Sequence, residues 1–146
     1  MLCHMGHILV DSVTGLIRCC TVSHATGTAE VEAALMMSEA HMKPGQILVG
    51  DRLYDQDKFV QGVQEQRMRA HPRAKKKGSR VSGRTTKSDA YEASMKTRHI
   101  VERSFGWIKG NGRMRQTMFR GTEKVGWQFT FMASAMNMVR ICNMTG

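Results

Sequence analysis

The sequence predicts a mixed α/β domain. Three observations carry that reading: apolar and polar residues alternate on both sides of a turn near the N-terminus, a short apolar run ends on Asp51, and helically spaced segments follow each of these. A chain of 146 residues is one domain long enough to bury a core, and 41% hydrophobic content is too high for disorder by composition.

Taken in chain order, residues 6–10 and 16–21 alternate as a half-buried antiparallel pair does, with Asp11-Ser-Val-Thr-Gly15 as the turn. Asp11 is the only acidic residue in the first 29 positions, and Asp beside such a turn is ordinary turn chemistry. Thr26 or Thr28 caps a helix over residues 29–41, where Val31, Ala34, Leu35 and Ser38 recur at helical spacing; Pro44-Gly45 ends it. Residues 46–50 form the next strand. Residues 55–66 read as a helix carrying Phe59, Val60 and Val63, and residues 68–70 as a short strand before Pro72. Residues 73–88 are rich in Lys, Arg, Gly and Ser with almost no large apolar residue, which predicts a loop. Residues 91–109 are predicted as one helix, broken by Gly110-Asn-Gly112. Residues 123–142 are apolar nearly all round, which describes a buried helix or a partner face. The 13 Met read as core fillers rather than a ligand box. No internal repeat is visible.

Net charge is +10 with a pI near 10.0, which points to an acidic polymer as partner. Between Arg67 and Arg120 lie 16 of the 22 Lys and Arg against 3 carboxylates, an excess of 13 in one window. Clustering of this kind favours a nucleic-acid surface over general solubilising charge. No basic segment followed by an apolar core opens the chain, and no run reaches the roughly 18 apolar residues of a membrane span, so neither secretion nor membrane insertion is expected. Adjacent Cys19 and Cys20 point to opposite faces of a strand, a poor start for a disulfide framework, so reduced thiols in the cytoplasm are expected. Cys3, His4, His7, Cys19, Cys20 and His24 lie near the two ends of the hairpin, but their spacing is not that of common zinc modules.

The segment Arg98-His-Ile-Val-Glu102-Arg-Ser-Phe-Gly-Trp-Ile-Lys109 has the spacing Arg-x3-Glu-x6-Lys. On a helix at 100° per residue, Glu102 lies about 40° and Lys109 about 20° from Arg98, one narrow polar face. Ile100, Ser104, Trp107 and Ile108 fall on the other side. A carboxylate between two cations suits metal-dependent phosphate chemistry, the carboxylate holding a divalent ion and the cations holding phosphates. An i,i+4 ion pair on a solvated face is the plainer reading of the same residues. Asp51 adds a second carboxylate at the C-terminal end of a strand, where open α/β sheets place functional groups.

These residues resemble a known family. Gly50-Asp51-Arg52-Leu53-Tyr54-Asp55 is similar to the "(A/G)-D-x-x-Y-D" box of DDE insertion-sequence transposases, and residues 101–109 to the Glu box of the same proteins. Phe119-Arg120-Gly121, the run from Val125 to Phe131, and the hairpin from His7 to Ile17 resemble the insertion-sequence-five group. The resemblance runs from about residue 6 to residue 142. Two departures stand out. Met95 occupies the position where the Glu box often has Tyr, and the family's first catalytic Asp sits on a strand before the hairpin, which here lies only a few residues from Met1.

The resemblance implies an RNase H-like catalytic domain lacking its first strand, so that residues 1–146 are a partial DDE domain with a basic loop at 73–88. It implies DNA cleavage and strand transfer at insertion-sequence ends with two Mg²⁺ (or Mn²⁺) ions. Asp51 and Glu102 are then the catalytic and metal-binding carboxylates. Arg98 and Lys109 orient phosphates, and Lys75, Lys76, Lys77, Arg80 and Arg84 follow the DNA backbone. The implied partners are DNA, an upstream transposase segment and, in the complete protein, further copies in a homo-oligomer. The implied location is the bacterial cytoplasm, at the nucleoid, and the fragment alone is expected to be inactive. A basic nucleic-acid-binding module without catalysis and a non-functional remnant are the alternatives. Trp107 reads as core rather than as a base-stacking residue.

Overall fold

The computed structural model describes residues 4–146. Cys3 of the hairpin cluster lies outside them. The described strands form two separate two-stranded sheets. The chain divides into two compact units, one made of the residues up to Ala33 together with Ile100–Gly146, the other of Ala34–His99.

In the first unit, β1 (His4–Val10) and β2 (Ile17–His24) pair antiparallel, with Ile8 opposite Cys20 and His4 opposite His24. The turn is fixed by Asp11, whose Oδ1 accepts from Val13 N at 2.8 Å and Thr14 N at 3.1 Å. Those backbone donors, Thr14 first, hold the Asp11 carboxyl below the usual carboxylate range, with Arg18 assisting at 3.7 Å. Asp11 thus has the turn role its setting predicts. One face of the hairpin receives α6 (Thr122–Thr145). Ile17, Ile108, Phe129, Ala133 and Met136 form the core, with Ile8, Val10, Val22, Phe105 and Trp107 packed around it. Gly6 permits a close approach: a Cβ there would lie 2.7 Å from the Phe129 ring. Asn137 ties α6 to β2, accepting from Ile17 N and donating to Ile17 O, both at 2.8 Å, while Arg140 Nε donates to Thr14 O at 2.7 Å. Among the described residues Cys19, Cys20 and Cys142 are free thiols, and burial pushes Cys19 up to about 11. The His4 and His24 rings lie 5.4 Å apart, and His7 pairs with Ser23 rather than with them.

The helix predicted over residues 29–41 forms as α1 (Ala29–His41). Within the second unit its Ser38 is fully buried because Gln66 reaches it: Ser38 Oγ lies 2.7 Å from Gln66 Oε1, and Gln66 Nε2 donates to Leu35 O. β3 (Ile47–Gly50) pairs parallel with β4 (Arg69–Pro72), and α2 (Asp57–Glu65) connects them, burying Phe59 and Val63. The helix expected from Asp55 begins two residues later. The preceding Arg52–Tyr54 winds as a single 3₁₀ turn, and the Asp55 carboxylate is drawn inward by the loop that follows β4. The basic segment is mostly loop but contains a one-turn helix, α3 (Gly83–Thr86), capped by Ser82.

The single helix predicted over residues 91–109 is instead two, α4 (Asp89–Thr97) and α5 (His99–Gly110), with Arg98 between them. Arg98 keeps right-handed helical dihedrals between them, and Thr97 Oγ1 donates to Ser94 O at 3.1 Å.

His7 and His71 are both buried, and burial, the larger cause in each, lowers their pKa; Arg69 adds to it at His71, and Glu30 opposes it at His7. The folded state therefore favours neutral imidazoles, and the unfolded chain takes up protons first as pH falls below about 6.5. Stability should be full above that value and decline toward pH 5. Thermal melts from pH 8 to pH 5 should show the decline, and it should be shallower in His71→Gln, which can keep a hydrogen bond to Ser94.

Candidate functional site

The parallel pair sets the geometry of the second unit. Gly50 is in register with Pro72, so the C-terminal ends of β3 and β4 lie side by side, and Arg73 N extends the pairing to Gly50 O at 3.0 Å. Asp51 leaves one strand and the basic segment leaves the other, at the edge where parallel sheets carry their chemistry. Gly50 is required by packing: a Cβ there would meet Tyr54 at 2.9 Å, and the Tyr54 ring in turn rests 4.9 Å from Phe59.

Asp51 caps the 3₁₀ turn. Its Oδ1 accepts from Arg52 N at 2.7 Å and from Arg98 Nη1 at 3.0 Å. The Asp51 side chain is more than half exposed, so this ion pair does little for stability and more for the orientation of Arg98.

The basic loop is held from beneath. Asp55 is fully buried, and its two oxygens accept from Lys75 N and Arg80 N, each at 2.7 Å. Burial by itself would raise this carboxyl. The two backbone donors, the Ser79 hydroxyl and the nearby Lys75 together outweigh it and hold the pKa below the ordinary carboxylate range. Tyr91 secures the start of the loop, its hydroxyl donating to Pro72 O at 3.0 Å and accepting from Ala74 N at 2.9 Å. The Tyr91 ring packs 5.5 Å from His71, whose Nδ1 lies 2.8 Å from Ser94 Oγ. Because Ser94 Oγ donates to Ala90 O, it accepts from Nδ1–H, which assigns the His71 tautomer. With its backbone pinned inward, the loop leaves Lys75, Lys76, Lys77 and Arg84 exposed. Arg80 is partly committed, since its Nε lies 3.3 Å from Asp57 Oδ2.

In the first unit, α5 buries Ser104 and Ile108 and exposes Glu102 and Lys109, as the spacing predicts. Lys109 Nζ lies 5.6 Å from the Phe105 ring centroid. Beyond the helix end, Lys109, Gly110, Arg113, Arg115 and Gln116 line an open groove. Arg113 and Arg115 are cations that the motif reading passed over. The signal was present, because the basic window extends through them, but their convergence depends on the turn after Gly110. Trp107 is packed against the core, in line with its expected role.

Of the residues singled out in the sequence, Asp51, Arg98, Lys75, Lys76, Lys77, Arg80 and Arg84 belong to the second unit and Glu102 and Lys109 to the first. The structure brings Asp51 and Arg98 together directly. The carboxylate oxygens of Asp51 and Glu102 are the donor type that a hard divalent cation takes. Among the described residues, however, no three His, Cys, Asp or Glu side chains gather into a metal-sized group, so the donor type fits such an ion and the number of donors falls short.

One family model matches the chain, the transposase DDE domain, over residues 57–142. No curated protein and no solved structure matches significantly. The matched stretch includes the basic segment and the α5 helix with Glu102, and it begins after Asp51. No helix of the described residues is long and apolar enough to cross a membrane. Spanning more than half of the sequence, the match shows that this chain belongs to the transposase DDE domain family, a family of DNA transposition.

Proposed function

We propose that the chain carries part of the machinery that cuts and joins DNA strands at the ends of an insertion sequence. The observation that carries this reading is the family match across both the basic segment and the Glu102 helix. Asp51 and Glu102 are two of the three carboxylates that DDE proteins use. Mg²⁺ or Mn²⁺ held there would stabilise charge on the scissile phosphate and lower the pKa of the attacking hydroxyl. The chain's own residues bind and orient. Arg98, positioned by Asp51, and Lys109 hold phosphates near the reacting bond. Lys75, Lys76, Lys77 and Arg84 track the backbone without reading sequence, with Arg80 sharing its charge with Asp57. The groove cations Arg113 and Arg115 join this set.

An RNase H-like sheet accords with one antiparallel and one parallel strand pair, since in the complete fold a central strand joins pairs of this kind. That strand carries the third carboxylate and belongs to an upstream segment in this proposal. A second reading, a basic DNA-binding module without catalysis, rests on the clustered positive charge. Binding that survives Asp51→Asn with Glu102→Gln, and no nicking under any supplementation, would select it.

Duplex DNA should bind with little sequence preference and lose affinity steeply with salt, each neutralised phosphate contributing about −0.9 to the log–log slope. Reversing charge at Lys75, Lys76 and Lys77 should flatten the slope by up to about three such increments. Filter binding at several salt concentrations measures this, and an unchanged slope would remove the loop from the interface.

Asp55→Ala removes the carboxylate that the Lys75 and Arg80 amides share, at a cost on the order of 1 kcal/mol for each bond. The variant should be cut by trypsin faster at Lys75, Lys76 and Lys77 and should bind DNA more weakly, although no exposed cation has changed. The Asp55 pKa is depressed in the folded state, so its stabilisation is present above about pH 4 and lost as pH falls through the folded value. Tryptic release of the loop unchanged from wild type would show that the carboxylate does not order it.

Residues 1–146 alone should not nick DNA carrying the element's ends with Mg²⁺ or Mn²⁺. An upstream segment, fused or added separately, should restore nicking, and Asp51→Asn or Glu102→Gln should abolish it again. Nicking by the chain alone would mean that another of its carboxylates completes the set, and Asp11 is the first to substitute.

A further inference from the structure

Helix α6 has two apolar faces, and the hairpin covers only one. Val125, Phe129, Ala133 and Met136 are buried on the side that packs on β1 and β2. On the opposite side, Trp127, Phe131, Ser134, Met138, Ile141 and Thr145 follow one another at intervals of four, three, four, three and four. That is the spacing of a seam that packs against another helix. The large members are open: Trp127 is 67% exposed, Phe131 56%, Met138 68% and Ile141 46%. Trp127 and Phe131 are already ordered against each other, their rings stacked with centroids 5.7 Å apart.

We propose that this outer face of α6 is a self-association surface, on which α6 of a second copy of the chain packs antiparallel. Area supports a pair of copies. The four large side chains present on the order of 500 Å² per copy, so a symmetric pair buries about 1,000 Å² through them alone, the threshold for a specific interface. Charge decides the direction. Lys124 continues the seam three residues before Trp127, so parallel helices would set it against its own copy. An antiparallel pair with its two-fold axis at residue 136 sets Phe131 against Ile141, Ser134 against Met138 and Trp127 against Thr145. Lys124 and Glu123 then lie beyond the overlap, in water. Each layer joins a large side chain to one of different size, and the opposed helix dipoles add to the preference. The overlap from Trp127 to Thr145 is about 27 Å long. The surface needs neither DNA nor metal, so its existence is independent of the strand-transfer proposal.

Sedimentation velocity of the whole chain, reduced to keep Cys142 from cross-linking, tests this between about 1 and 100 µM. The expected result is a concentration-dependent dimer. Phe131→Glu and Ile141→Lys should each weaken it at least about tenfold, with melting at concentrations where the chain is monomeric unchanged because both side chains are exposed. Mixing the two variants should restore a heterodimer, since the introduced charges face each other across an antiparallel pair. Ser134→Leu should tighten association. A wild-type chain that stays monomeric throughout, or a Phe131→Glu chain that dimerises as well as wild type, would overturn the surface. Variants that remain monomeric when mixed would overturn the antiparallel arrangement.

Discussion

A carboxylate with no exposed surface is the constraint on which the unit from Ala34 to His99 depends. Burying a charge is costly unless hydrogen bonds replace the lost water. Asp55 meets that condition with two backbone N–H groups at 2.7 Å and the Ser79 hydroxyl. The solution dictates the course of a segment that has almost no apolar side chains to fold it. It also fixes the preceding turn: Tyr54 must sit over Gly50, and Asp51 must cap the 3₁₀ turn at the strand end. The Gly-Asp-x-x-Tyr-Asp stretch thus joins the strand end, the turn and the anchor of the basic loop within six residues.

The break at Arg98 is the second consequential feature. Between α4 and α5 the Arg98 guanidinium engages Asp51. The arginine that opens the Arg-x3-Glu spacing is thereby tied to a carboxylate 47 residues earlier in the chain.

Helix α6 organises the other unit through its inner face. Its Phe129 ring occupies the space that Gly6 leaves open, and Asn137 satisfies both backbone groups of Ile17, so the hairpin and the helix share one core and one set of hydrogen bonds. The outer face has the same apolar character without the same partner, which is why the helix reads as apolar all round in sequence.

The sequence by itself determined the elements and their character. The hairpin, the strand ending at Asp51, the helix from Ala29 to His41, the buried and exposed sides of the Glu102 helix and the clustered positive charge all follow from two periodicities and a count of charges, which are local properties. Its family boxes led to the transposase DDE domain. Only the tertiary structure decided what depends on distant partners. Asp55 is a loop anchor because amides 20 and 25 residues away turn toward it. Asn137 is an anchor because a strand 120 residues earlier presents both its N–H and its C=O. Arg113 and Arg115 join Lys109 because the chain turns after Gly110. The division of the helix at Arg98 also escaped the pattern, because apolar spacing runs on through that position. Hydrogen bonds between remote residues leave no periodic trace, and so the polar wiring of the site appears only once the chain is folded.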